Sequence, residues 1–264
     1  MFIFPWEGAT VVGTTDLDHR DSLDNEASIS TEEEDYLLKA VNSQFPSSEI
    51  SRTDIIATFS GVRPVIGSDN GLDPSKERRD HAVWRDSGLI TVSGGKLTTF
   101  RLIARDVIAK ALPWLKSVGM NLPSVDDTID DRVFRPLKIK TETIMIDDQC
   151  RAKRLLGRYG DYAVNILDNA STSELTKIAG TEYCLAECRW IIKNEAVIHL
   201  DDLMLRRTRL GLLMRNGGEE LFDSLQPIFS EELGWEQVHW KQEKVRYLNI
   251  WQQYYSLPKS EGGK

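Results

Sequence analysis

The hydrophobic period changes once along this chain, and that change constrains the fold more than any other feature. Over roughly the first hundred residues the apolar side chains fall in short runs rich in β-branched and aromatic types; beyond about residue 146 nearly all recur at helical spacing. The switch predicts an α+β part followed by an all-helical part. We place them at residues 1–118 and 146–264, with 119–145 as a linker, because Gly119, Pro123 and the acidic run Val125-Asp126-Asp127-Thr128-Ile129-Asp130-Asp131 interrupt both periods.

In the first part, Phe2-Ile3-Phe4 and Ala9-Thr10-Val11-Val12 flank the turn chemistry of Pro5-Trp6-Glu7-Gly8 and predict a β-hairpin. Strands this early, without neighbours, predict a chain that begins inside a fold. Asp54–Phe59, Ala82–Trp84 and Leu89–Val92 are further strand candidates. An acidic stretch, Asp16–Asp35, reads as a solvated loop leading into a surface helix capped by Ser30 or Thr31, led by Glu32–Glu34 and stopped by Pro46. In the second part, helices are expected over Cys150–Tyr159, Tyr162–Asp168, Ser173–Ile178, Glu182–Ile198, from Asp201 or Asp202 to Met214, Glu219–Phe229 and Trp235–Tyr255. Gly160 and Asn216-Gly217-Gly218 serve as stops.

The chain carries 33 basic and 41 acidic residues, a net charge of −8 that argues against nucleic acid as a partner. Residues 1–100 hold 17 acids and 9 bases, so the whole excess lies there. No apolar run reaches the roughly 18–20 residues of a membrane span. Cys150, Cys184 and Cys188 match neither a disulfide framework nor a metal half-site, so a reducing compartment and no metal are expected; Cys184 and Cys188 read as small buried side chains.

Chemistry concentrates between Ser60 and Arg101. Leu89–Val92, Gly94-Gly95 and the helical spacing of Leu97, Ala104, Ile108, Ala111 and Leu115 spell strand, glycine pair, helix N-terminus. Such a terminus offers unpaired N–H groups to an anion, with Lys96 adding a full charge and Thr98 and Thr99 hydroxyls. A phosphate or the N1–C2=O edge of a flavin would suit it, and so would plain strand-to-helix packing. The segment lacks GxxxxGK[ST] and is no Walker A loop. Arg63, before Pro64 in an apolar context, needs an anionic ligand or an internal carboxylate.

Four ordered motifs, FPWEGATVVGTTD, DIIATFSGVRP, the RRD of Arg78–Asp80 and GLITVSGGKLTTFRLIARD, resemble those of FAD-dependent sn-glycerol-3-phosphate dehydrogenases. The tail, with Trp190, DDLMLRRTRLG at Asp201–Gly211 and a Trp251 helix, is similar to that family's C-terminal cap domain. The resemblance implies a mixed-sheet remnant of an FAD-dependent oxidoreductase, carrying the substrate and flavin-ring part, followed by the helical cap. It implies FAD as cofactor and glycerol 3-phosphate as substrate, oxidised to dihydroxyacetone phosphate with electrons passed to quinone. It makes Arg63 and Arg79 substrate-binding, Lys96 and Arg63 catalytic, and Gly94, Gly95, Lys96, Leu97 and Thr98 flavin contacts. No GxGxxG occurs here, so the dinucleotide cradle is expected in an N-terminal FAD-binding half that this chain does not carry, and the chain alone is expected to hold FAD weakly.

Of the histidines, His19 reads as a loop residue, His81 as an orienting or packing one, and His199 and His239 as structural. A homodimer and a cytoplasmic location, peripheral on the inner membrane, are compatible expectations, with Arg206-Arg207-Arg209 as the basic surface. Two alternatives stand beside this reading: an amine or amino-acid oxidase, and a non-catalytic interaction module.

Overall fold

The computed structural model describes residues 1–63, 80–120, 136–144, 146 and 148–258. They form two compact units, one of residues 1–15, 21–61 and 137–264 and one of residues 16–20 and 62–136. Contact thus groups the first hairpin and the helix after it with the helical part, across the sequential boundaries at 118 and 145.

In the first unit, β1 (Phe2–Trp6) pairs antiparallel with β2 (Ala9–Gly13), from Phe2↔Gly13 to Trp6↔Ala9. Glu7 and Gly8 form the loop with φ of 47° and 92°, the left-handed pair that a two-residue hairpin matching the strand twist requires. Trp6 and Ala9 then pack on the helical core. Helix α1 (Thr31–Gln44) starts at a capping box: Ser30 Oγ accepts the Glu33 N–H, and the Glu33 carboxylate accepts the Ser30 N–H. Pro46 opens a 3₁₀ turn just beyond its end.

The rest of this unit is helical: α3 (Gln149–Tyr159), α4 (Tyr162–Asp168), α5 (Leu185–Asn194), a π-helical turn at Asp202–Arg207, α6 (Leu210–Leu213), α7 (Phe222–Leu233) and α8 (Gln237–Tyr254). Leu155, Ile191, Leu203, Met204, Leu225, Phe229 and Trp240 are among its buried residues. Phe229 stacks at 4.4 Å on Trp235 and 5.4 Å on Trp240, and Phe222 meets Trp240 and Tyr247 edge-on. Each such buried ring contributes roughly 1.5–3 kcal/mol by burial alone. The polar tips are also satisfied: Tyr247 Oη donates to the Gly217 carbonyl at 2.6 Å, and Trp251 Nε1 to the Gly211 carbonyl at 2.7 Å.

Several expected elements differ, each for a traceable reason. Asp54–Phe59 is no strand; a 3₁₀ turn holds Arg52–Asp54, and Thr58 donates its N–H to Tyr255 and its hydroxyl to Ser256, beside the end of α8. Ser173–Ile178 is a turn, because Ser171 and Glu174 bond each other locally and Ile178 donates to the Tyr183 carbonyl. Helix α5 is shorter than expected at both ends. The helix expected over Asp201–Met214 breaks at Thr208, whose N–H and hydroxyl both take the Leu203 carbonyl. Its stop is as expected, with Asn216, Gly217 and Gly218 all at positive φ. Residues of the expected linker also pack inward, Ile144 being buried in this unit's core.

In the second unit, β3 (His81–Asp86) and β4 (Leu89–Gly94) form an antiparallel hairpin turning at Ser87-Gly88. A 3₁₀ turn at Leu97–Thr99 leads into α2 (Phe100–Ser117). None of this unit's described side chains is buried. The described strands form two separate two-stranded antiparallel sheets, not one mixed sheet, since each strand pairs only with its sequence neighbour. The helical stripe is also out of phase with the sequence pattern. Leu97 precedes α2 and is exposed, and within α2 Ile103 lies against Gly95 while Ile108 is exposed, so the face turned to the hairpin is that of Ile103.

Candidate active site

The residues expected to contact a flavin, Gly94 to Thr98, lie on one continuous turn of the second unit. Strand β4 ends in Gly94 and Gly95 at φ of 78° and 85°, a conformation that favours glycine at both positions. Gly95 has a second requirement: a Cβ there would meet Ile103 Cδ1 at 2.5 Å and His81 Cβ at 3.3 Å. Close packing and unusual backbone thus coincide. Lys96 follows in extended geometry, its carbonyl accepting the Thr99 N–H and hydroxyl, both at 3.0 Å. No side chain caps this start, so the Leu97 and Thr98 N–H groups keep the orphan status of first-turn amides. Lys96, Leu97 and Thr98 are exposed, and among the described residues no ion pair involves the Lys96 ammonium. The donor set, two amides and an ammonium, suits an anionic edge such as that of a flavin ring.

Arg63 belongs to the same unit but not to this turn. Its guanidinium lies 3.7 Å from Asp16, and both side chains are more than a third exposed. The internal carboxylate anticipated for it exists, and a pair this open and loose leaves the arginine available to a stronger anion. Arg78 and Arg79 lie outside the described residues. Asp16 as the partner of Arg63, and Asp106, which receives His81 Nε2 at 2.9 Å, were not singled out from sequence. The first joins residues 47 positions apart and the second a strand to a helix, pairings that periodicity does not report.

The other ionisable clusters have structural partners. Buried Glu187 accepts Arg154 Nη1 at 2.8 Å, Tyr159 Oη at 2.9 Å and the Cys184 N–H at 3.1 Å. Arg154 and Arg158 each lie 4.6 Å from the Tyr183 ring, and Arg158 also reaches Glu7 at the tip of the β1–β2 hairpin. Burial pushes the Cys184 and Cys188 thiols up, away from thiolate chemistry. It also pushes the Tyr255 phenol up to about 12, with the Glu26 carboxylate adding to the rise. For Asp201 burial is the largest influence and raises its carboxyl, yet Arg246 and Arg206 together hold it low. On the expected basic surface Arg206 and Arg207 are exposed; Arg206 also pairs with Asp201, Asp202 and Glu26, and Arg209 donates to the carbonyls of Leu205, Arg206 and Thr208. His199 pairs with Glu243 and His239 stacks edge-on to Trp235, both structural. No described helix is long and apolar enough to cross a membrane.

Two family models match the chain in succession, FAD dependent oxidoreductase over residues 1–109 and the C-terminal domain of alpha-glycerophosphate oxidase over residues 136–239. The first part of the chain is thus similar to FAD-dependent oxidoreductases and the second to the C-terminal domain of a glycerophosphate oxidase. The aerobic glycerol-3-phosphate dehydrogenase of Bacillus subtilis (strain 168) is 31% identical over 253 residues, covering 90% of this chain and 45% of that protein. The mitochondrial glycerol-3-phosphate dehydrogenase of Mus musculus is 30% identical over 264 residues, covering 93% and 35%. Glycerol-3-phosphate dehydrogenase 2 of Mycobacterium tuberculosis (strain ATCC 25618 / H37Rv) is 27% identical over 260 residues, covering 94% and 43%. Along nearly its whole length the chain is thus similar to glycerol-3-phosphate dehydrogenases, and it spans half or less of the length of these relatives.

Proposed function

We propose that this chain serves the oxidation of sn-glycerol 3-phosphate to dihydroxyacetone phosphate, with FAD as cofactor and a quinone as final acceptor. The observation that carries this reading is the uncapped Gly94-Gly95-Lys96 turn, which sets two free amides and an exposed ammonium at one helix start. The names of the relatives support the substrate. FAD, when bound, supplies the two-electron acceptor for the alcohol carbon.

In this reading the chain's own residues bind and polarise. The Leu97 and Thr98 amides and the Lys96 ammonium hold the anionic edge of the ring, and Lys96 also stabilises charge developing on the substrate oxygen. Arg63 exchanges its loose contact with Asp16 for the substrate phosphate, and Arg79 is the second phosphate ligand; a dianion between two guanidiniums makes charge-assisted, multiply bonded contacts. We assign the β-rich part, residues 1–118, to substrate and flavin, and the helical part, 146–264, to a cap joined by 119–145. A cytoplasmic enzyme, peripheral on the inner membrane and homodimeric, is the setting we propose.

Lacking GxGxxG, the chain by itself is expected to hold FAD weakly, and joining it to the N-terminal FAD-binding half of a relative is expected to give a yellow protein. That hybrid should reduce a soluble quinone when given glycerol 3-phosphate, but not glycine or sarcosine. A colourless hybrid, or one that prefers the amino acids, would sink the proposal; stoichiometric FAD on the chain alone would refute its weak binding.

A further inference from the structure

We infer that His81 is a positioning residue for the Gly94-Gly95-Lys96 turn and acts through Asp106; the inference rests on the reading of that turn as the anion-binding element. His81 is the cross-strand partner of Gly94 in the β3–β4 register. The carbonyl of its neighbour Asp80 accepts the Gly95 N–H at 3.2 Å. On the other side, His81 Nε2 lies 2.9 Å from Oδ2 of Asp106, one helical turn from Ile103, whose Cδ1 fills the space where a Gly95 Cβ would be. Asp106 Oδ1 in turn lies 3.5 Å from Arg105 Nε. An ionised carboxylate only accepts, so Nε2 carries the proton in this pair.

These contacts close a ring: β3 to the glycine pair, the glycine pair to α2, and α2 back to β3 through the His81–Asp106 bond. The turn itself has no side-chain cap, and no described residue of this unit is buried. The direction of the Leu97 and Thr98 amides therefore depends on polar and close-packed contacts rather than on a surrounding core. The His81–Asp106 bond is the long-range polar link in that ring, joining residues 25 apart in sequence. Orienting donors before a ligand arrives is what raises the affinity of such a site, since the cost of ordering is met in folding.

The test uses the chain as it stands, without flavin, by amide hydrogen exchange and ¹H–¹⁵N spectra of wild type, His81→Phe, His81→Gln and Asp106→Leu. Loss of one hydrogen bond to a charged group is expected to speed Gly95 exchange about tenfold in His81→Phe and Asp106→Leu and to move the Leu97 and Thr98 resonances. His81→Gln, whose side-chain amide can donate to the same Oδ2, should restore most of both effects, which a purely space-filling role would not. Retained dispersion of the β3–β4 and α2 resonances away from the turn reports that each variant keeps the second unit folded. In the flavin-loaded hybrid the same order of variants is expected in the half-saturating FAD concentration. Gly95 exchange within twofold of wild type in His81→Phe and Asp106→Leu, or a glutamine variant no better than phenylalanine, overturns the inference. A hybrid that fails to oxidise glycerol 3-phosphate while the exchange pattern holds overturns the proposed activity and leaves the positioning role in place.

Discussion

The two units solve the problem of holding shape in different ways. The first buries a continuous apolar core, in which Leu155, Leu200, Leu203, Met204, Leu210, Leu225 and Phe229 are fully excluded from solvent. The second, as described, is one hairpin and one helix with no buried side chain, and Leu89, Leu97, Phe100, Leu102, Ile108 and Trp114 remain exposed on it. Yet every described residue to which we give a chemical role, Arg63 and Gly94 to Thr98, belongs to the second. Stability and chemistry are separated: dense packing fixes side chains too firmly to leave donors open, whereas a thin layer leaves amides and cations available and must orient them by turn geometry and polar links.

That contrast can be broken most directly by matched substitutions. Phe229→Ala, in the aromatic cluster, is expected to cost about 3–5 kcal/mol in urea unfolding followed by circular dichroism, because Trp235 and Trp240 lose a partner and a cavity remains. A cost below about 1 kcal/mol would show that the core is looser than its burial suggests. Lys96→Ala should leave that unfolding curve unchanged while lowering turnover of the flavin-loaded hybrid about 10²-fold, the usual scale for removing one stabilising donor. An equal loss in both measurements would merge the two units' roles.

Acid sharpens the comparison further. Asp201, Glu174 and Glu232, all in the first unit, have carboxyls held below their ordinary values, the first by Arg246 and Arg206 against burial, the second by Ser171 and Arg189 against burial, the third chiefly by Arg189. A native value below the unfolded one contributes stability that is complete above the unfolded value of about 4 and is lost as pH falls through the native value. The urea midpoint should therefore decline below about pH 4, and a flat midpoint down to pH 3 would deny these pairs any net role. The smallest effect is expected for Ile108→Ala on the exposed side of α2, within about 0.5 kcal/mol in the same assay. A larger cost would mean that this face is covered in solution.

Local features of the sequence were legible residue by residue. Ser30 announces a helix N-cap, Pro5 to Gly8 a hairpin turn and Gly94-Gly95 a glycine-favouring turn, because each depends on φ, ψ and hydrogen bonds among residues a few positions apart. The order of the four motifs was enough to point to the resemblance, and the glycine pair with Lys96 marked the helix start to which we assign anion binding. Thr58 shows where such reading ends. Its segment has strand composition, but Tyr255 and Ser256, nearly two hundred residues away, take its donors.

The sequence by itself thus determined the turns, the caps, the two hydrophobic periods and the residues able to carry charge, since these are properties of short stretches of chain. Only the tertiary structure decided that the first hairpin sits with the helical core, that exposed Arg206 pairs with buried Asp201, that Arg63 meets Asp16, and that His81 reaches Asp106. Each of these is a contact between distant residues. Its energy depends on how much water is excluded and which partner arrives first, quantities that no local window of sequence contains.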